Sequence, residues 1–235
     1  MKRFIFFSFL LIFFTACKKA EMVHIENTCP EFDTLVLADV FDVDLIQGNQ
    51  NRIAIEAYET FANKVRWKVK NNTLSLYNDN KNRWLKPSTN KVKLIITVNN
   101  LSKIVANETC SINSRNPLNG NEIGLVLKSK LNHANLMLNC QKFYYWNNFP
   151  CGGTLALSGN CHELKLWNYA LMQVDATHLN ASVVRALNAS KGSILTSCTD
   201  SLYYQIEGSG NIEVYGNPTF VNELAGGGIG NLILH

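Results

Sequence analysis

Beyond Asn100 the chain repeats itself at intervals of about one solenoid turn, and this constrains the fold more than any other feature. Small or Asn-rich corners precede short apolar strands at Ala106-Asn107-Glu108-Thr109-Cys110-Ser111-Ile112, Leu138-Asn139-Cys140, Ser158-Gly159-Asn160-Cys161-His162-Glu163-Leu164, Ala189-Ser190-Lys191-Gly192-Ser193-Ile194 and Glu207-Gly208-Ser209-Gly210-Asn211-Ile212. Cys140 and Cys161 are 21 residues apart, and Lys191 and Gly210 are 19 apart. One turn of that length cannot bury its own apolar face and must stack on its neighbours. The spacing predicts a parallel β-helix of several rungs from Leu101 to the end. The interval from Cys161 to Lys191 is too long for one rung, which predicts an irregular turn around Trp167 to Ala170.

Nearer the N-terminus the pattern is period two. Phe41-Asp42-Val43-Asp44-Leu45, Arg52-Ile53-Ala54-Ile55-Glu56 and Lys91-Val92-Lys93-Leu94-Ile95-Ile96 alternate as half-buried strands do. Turns such as Gln47-Gly48-Asn49 and Asn71-Asn72 separate them. Only Thr60 to Val65 suits a short helix, since no run of ten or more residues sustains a 3.6-residue period. The chain holds 30 Asn against 7 Asp, a surplus of neutral turn formers that fits many short strands. The expected class is all-β: a parallel β-helix over residues 101–235, with a capping β region over 31–100 and a tether over 17–30.

Several segments, taken in order, resemble one known family. They are Phe32-Asp33-Thr34-Leu35-Val36-Leu37, Phe41-Asp42-Val43-Asp44-Leu45-Ile46-Gln47-Gly48, Val69-Lys70-Asn71-Asn72-Thr73-Leu74-Ser75-Leu76-Tyr77 and the closing run from Gly208 to Pro218. Together they resemble the putative auto-transporter adhesin, head GIN domain family over about Glu31 to Leu234. The resemblance implies a right-handed β-helix, a lipoprotein of the Bacteroidota type and an adhesin-like role, and it brings no catalytic residues. Asn107 and Lys191 stand where the family more often has corner glycines.

The first residues read as an address. Lys2 and Arg3 precede an apolar run from Phe4 to Phe14, the layout of a secretory signal. At ~1.5 Å per residue the run is too short to cross a ~30 Å hydrocarbon core as a helix. Phe14-Thr15-Ala16-Cys17 resembles the lipobox of bacterial lipoproteins. This predicts a signal peptide over 1–16 and a lipidated Cys17, acylated at sulfur and amine with fatty chains of the palmitate kind, enough for stable anchoring. The bland alternative is an ordinary secretory signal with a chance cysteine. Lys18 and Lys19 replace the Asp that commonly retains lipoproteins at the inner membrane, which favours the outer membrane. The leaflet it faces, periplasmic or surface, stays open.

The remaining residue types narrow the function classes. A net charge of +4 on scattered residues does not suggest nucleic acid as a partner. Once Cys17 is lipidated, Cys29, Cys110, Cys140, Cys151, Cys161 and Cys198 remain, an even number that permits disulfides. The favoured reading is reduced cysteines filling rungs, with Cys110, Cys140 and Cys161 at equivalent corners. No C-x-x-C, H-E-x-x-H, P-loop or G-x-S-x-G occurs, and the five histidines share no metal or triad spacing, so no metal, cofactor or catalytic residue is expected. Asp42 and Asp44 fit a solvated strand face better than a calcium site. The carboxylates of a polysaccharide-cleaving β-helix cluster on neighbouring rungs, and beyond Asn100 the only aspartates are Asp175 and Asp200.

Aromatic residues concentrate in one stretch: Tyr144, Tyr145, Trp146, Phe149, Trp167 and Tyr169. On an exposed sheet they would form a platform for sugar rings or a partner protein, with Tyr144, Tyr145, Trp146, Trp167 and Tyr169 as candidate ligand-binding residues. The bland reading is that they cover the core. Asp33-Thr34-Leu35 and Asp200-Ser201-Leu202 also resemble a short O-glycosylation pattern. The leading expectation is a non-catalytic, lipid-anchored envelope protein that binds a surface glycan or envelope protein. A β-helix carbohydrate-active enzyme and a periplasmic scaffold without an external ligand are the alternatives.

Overall fold

The computed structural model describes residues 21–80, 91–147 and 151–235. The signal segment, Cys17 and Phe149 lie outside the described residues. The chain begins with β1 (Met22–Thr28), β2 (Thr34–Leu37), β3 (Phe41–Gln47), β4 (Arg52–Tyr58) and a single helical turn, α1 (Glu59–Ala62). It continues with β5 (Val65–Lys70), β6 (Thr73–Asn78), β7 (Lys93–Val98), β8 (Lys103–Ala106), β9 (Cys110–Ser114), β10 (Leu118–Leu127) and β11 (Leu131–Asn147). The long β12 (Gly152–Ser190) follows, then β13 (Ile194–Ser197), β14 (Ser201–Ile206), β15 (Ile212–Tyr215), β16 (Phe220–Glu223) and β17 (Leu232–Leu234).

From β8 onward these strands form a parallel β-solenoid of about six turns counted with the N-terminal stack. The step between turns ranges from 18 residues, Val183 to Ser201, to 22, Ser111 to His133. One long sheet runs through β6, β2, β8, the ends of β10 and β11, then β12, β14 and β16. A second runs through β7, β3, β9, the start of β11, then β12, β13, β15 and β17. A short third face pairs Leu118–Gly120 with Leu138–Cys140, and these with Gly159–Cys161.

Alternation drives burial. Along the first sheet Leu74, Leu35, Ile104, Leu125, Tyr145 and Leu166 stand in one register column, all fully buried. Each such side chain contributes about 1.5–3 kcal/mol by leaving water. At the corners amide ladders accompany the apolar columns. Inside, Asn168 Nδ2 donates to Asn188 Oδ1 at 3.2 Å. Outside, Asn139 Nδ2 donates to Asn119 Oδ1 at 2.8 Å and Asn180 Nδ2 to Asn160 Oδ1 at 3.2 Å. Much of the asparagine surplus therefore serves stacking as well as turning.

The N-terminal part departs from the sequence expectation. Residues 22–28, expected as tether, form β1, paired antiparallel with β4 along its whole length from Met22 opposite Tyr58 to Thr28 opposite Arg52. The reason is a weak period-two pattern, Val23 and Ile25, whose side chains pack on the core between polar neighbours. Nor is the region before Asn100 only a cap. β2 and β3 are a solenoid turn lying between β6 and β7 on one side and β8 and β9 on the other. The antiparallel strands β5, on β6, and β4, on β7, close that end, with β1 outermost. Of the helix expected at Thr60 to Val65 there is only the single turn α1 at Glu59–Ala62, and Val65 already opens β5.

The irregular turn expected at Trp167 to Ala170 is found at Ala170, whose φ of 62° lies in the left-handed region. The rungs stay regular all the same. Asn160 and Asn180 remain bonded one turn apart, and Lys191 N donates to Ala170 O at 3.0 Å. The interval from Cys161 to Lys191 holds one full turn and part of the next.

Candidate functional site

On the first sheet the side chains between the buried ones face outward. Two outward columns lie side by side: Gly124, Tyr144 and Lys165 in one register, Val126, Trp146 and Trp167 in the next. Neighbouring strands are ~4.8 Å apart, so the two indoles stand next to each other. Trp146 is 37% exposed and Trp167 38%, high values for side chains that usually hide. With Val126, Tyr144 and Tyr169 they line a shallow, open depression.

Tyr169 is placed by a buried corner amide. Asn147 Oδ1 accepts from Tyr169 N at 2.8 Å, and Asn147 Nδ2 donates to Tyr169 O at 2.8 Å. The structure thus brings four of the five candidate binding residues onto one surface. It excludes the fifth. Tyr145 is 0% exposed and sits in the core column between Leu125 and Leu166. Strand alternation requires this, because a residue between two outward neighbours must point inward.

Beside the aromatic columns runs a charged one that the sequence reading missed. Glu122, Lys142 and Glu163 are in register. Glu163 lies 3.0 Å from Arg185, 3.4 Å from Lys165 and 3.8 Å from Lys142, and Lys142 lies 3.3 Å from Glu122. Partial burial works to raise the Glu163 pKa, but Arg185, Lys165 and Lys142 together hold it below the usual carboxylate value. A carboxylate held ionised in this way is poorly suited to give up a proton as a general acid. The arrangement was visible in the repeat, since the three residues are 20 and 21 positions apart.

The remaining candidates fall elsewhere. Asp44 bonds Lys93 and Arg115 on the second sheet, a solvated ion network. Four histidines have local partners: His24 on Glu56, His133 on Thr154, His178 on Thr177 and His235 on Glu213. Among the described residues no group of three or more His, Cys, Asp or Glu could hold a metal ion. Two polar depressions near Glu31, Asn51 and Asn99 are corners of the stack, where Asn51 accepts from Asn99 N and donates to Pro30 O.

All six cysteines among the described residues are unpaired. Cys140 and Cys161 are in register, with sulfurs 3.7 Å apart. Their shared hydrogen bond, then burial, keep the Cys140 thiol protonated. Cys110 does not belong to that corner. It pairs with Phe41 and donates its backbone N–H to Asn132 Oδ1, because its 30-residue distance from Cys140 is not a whole number of turns.

A solenoid carrying a flat, half-exposed aromatic face belongs to the class of β-helical proteins built around surfaces. The chain is a member of the family described as putative auto-transporter adhesin, head GIN domain, whose model matches residues 31–218. Solved structures share the fold. A putative adhesin from Bacteroides fragilis, 21% identical, aligns with a TM-score of 0.82 over 92% of this chain and 97% of that one. A putative adhesin from Parabacteroides merdae, 18% identical, gives 0.63 over 92% and 96%. A structure titled a putative lipid binding protein, from Parabacteroides distasonis and 16% identical, gives 0.58 over 90% and 96%. No protein of curated function matches the chain. The family's name suggests a cell-envelope or surface protein with an adhesive role, and no described helix is long and apolar enough to cross a membrane.

Proposed function

We propose that this chain is a non-catalytic, lipid-anchored protein of the outer membrane whose aromatic face holds a glycan or a partner protein in an adhesin-like way. The observation that carries the binding part is the pair of half-exposed tryptophans, Trp146 and Trp167, in register on one sheet. Indole faces stack on the apolar sides of sugar rings and anchor protein interfaces, and rigid strands hold them at no ordering cost. The anchor rests on the lipobox-like Phe14-Thr15-Ala16-Cys17. Because β1 begins at Met22, only a short stretch joins Cys17 to the sheet, with a reach of at most ~18 Å. The solenoid would therefore ride close to the bilayer, its N-terminal end nearest the lipid.

Two experiments test the parts separately. Labelled palmitate should enter the wild type and not Cys17→Ser, and the variant should leave the membrane fraction; labelling of the variant would overturn the anchor. Protease shaving of intact and lysed cells then decides which side the domain faces. For binding, Trp146→Ala combined with Trp167→Ala should lose retention on a panel of immobilised polysaccharides and envelope proteins while melting as the wild type does. Unchanged retention would overturn the aromatic face as the site.

A further inference from the structure

The aromatic face is also the basic side of the solenoid. Outward positions of the first sheet carry Lys103, Lys142, Lys165 and Arg185 against Glu122 and Glu163. The second sheet carries Asp42, Asp44, Glu26 and Glu56 near the N-terminal end, against Arg52, Lys93 and Arg115, which pair with Glu26 and Asp44. The excess of cations over carboxylates thus lies on the side with the tryptophans, and an anionic ligand is steered there.

Arg185 is held on this face by two neighbours. Its Nε donates to Glu163 at 3.0 Å, and its guanidinium lies 4.1 Å from the centre of the Tyr203 ring. Held edge and face, it has no further partner among the described residues, so its terminal nitrogens can meet a carboxylate in the two-pronged geometry that guanidinium favours. Lys165 stands one strand away from it and two residues from Trp167 on the same side, ~7 Å along the strand. A ring stacked on Trp167 puts its substituents within reach of both.

We infer that this face takes an acidic polysaccharide, with sugar rings on Trp146 and Trp167 and uronate carboxylates on Arg185 and Lys165. This rests on the aromatic face being the binding site. The interspersed Glu122 and Glu163 repel a dense polyanion such as nucleic acid or an anionic bilayer, and leave room for one carboxylate per sugar. The spacing of aromatic and cationic columns suits that alternation of apolar ring and single charge.

The test uses the full chain in detergent and affinity electrophoresis in gels containing polygalacturonate, alginate or hyaluronan, with fully methyl-esterified polygalacturonate as the neutral counterpart. The expected result is retention by at least one acidic polymer, about tenfold stronger than by the ester where the polymer is polygalacturonate, and weakened by salt. Arg185→Gln and, separately, Lys165→Gln should each remove most of that preference while melting as the wild type does. Equal retention by polygalacturonate and its ester, lost with the tryptophans, overturns the acidic preference and leaves the aromatic site standing. Retention by acid polymers that survives Trp146→Ala with Trp167→Ala overturns both. No retention by any acidic polymer overturns the inference.

Discussion

The Tyr144 ring lies directly over Gly124 of the preceding turn: a Cβ built on Gly124 would fall 1.9 Å from Tyr144 Cζ. The glycine is needed here for close approach, since its φ is not in the left-handed region. Gly124→Ala should push the ring off the sheet and open one wall of the aromatic depression. The displaced group is the far end of a flexible side chain, so the stability change should stay within about 1 kcal/mol. Retention on the polysaccharides that the wild type binds should fall. A melting point lowered beyond that range would mean that the ring supports the fold and is more than a wall of the depression.

Tyr145 and its neighbour Trp146 should respond oppositely to truncation. Tyr145→Ala removes a core ring and should cost about 3–5 kcal/mol, whereas Trp146→Ala should leave denaturant midpoints nearly unchanged. The Tyr145 hydroxyl is buried with no hydrogen-bond partner among the described residues. Tyr145→Phe should therefore be neutral or stabilising, because it deletes a group whose burial costs ~1–3 kcal/mol. A clear loss of stability in the phenylalanine variant would show that the hydroxyl is bonded after all.

Asn147 links fold to site. Asn147→Ala leaves the Tyr169 backbone donor and acceptor without their corner amide, at a cost of about 1–3 kcal/mol per buried group. Chemical denaturation should show the loss, and hydrogen exchange should quicken first at Tyr169. Unchanged exchange there would separate Tyr169 from the ladder.

Glu163 makes part of the stability depend on acid. Its pKa in the folded chain is lowered, so its contribution is complete above the unfolded value of about 4.3 and is lost as pH falls through the lower folded value. The wild type should exceed Glu163→Gln by about 1 kcal/mol or less at pH 7, and the two should converge once the pH is below the lowered folded value. A gap that persists in strong acid would mean the carboxylate acts through packing rather than charge.

The thiols should be quiet in the native protein. Burial pushes Cys29 up to about 11 and Cys110 up to about 12, and Cys140, Cys151 and Cys198 are raised as well, so an aromatic disulfide reagent at pH 8 should react slowly with these five. The bond from Cys140 lowers the Cys161 pKa, and burial alone slows the reagent there. After denaturation six should titrate from the domain. A count of four would mean that Cys140 and Cys161, whose sulfurs lie 3.7 Å apart, have been oxidised to a disulfide.

Much of this was legible beforehand because a solenoid writes its period into the chain. The corner spacings foretold the stacked turns, and the strict alternation of strands such as Phe41–Gln47 foretold their faces. What escaped notice was register. Taking Tyr144, Tyr145 and Trp146 as one surface ignored that consecutive strand residues face opposite ways. Cys110 was grouped with Cys140 by composition when its spacing puts it in another column. β1 was missed because its partner, β4, lies on the outer side of the stack, where half-burial of Val23 and Ile25 leaves only a faint pattern. The pairing of Glu163 with Arg185 joins adjacent turns of β12, and single-strand reading cannot see across turns.

The two ends of the molecule are unequal in a way that governs how it comes apart. Because β2 and β3 are sandwiched between strands that follow them in the chain, the first turns cannot assemble or dissolve one at a time. They behave as a single cooperative block. The last turn, β16 and β17, rests on β14 and β15 alone, so it can peel away without disturbing its neighbours, and amide protection should rise steadily from that loose end toward the block. Wear from proteases or mechanical load would then begin at β16 and β17, and the block of first turns would be the durable part.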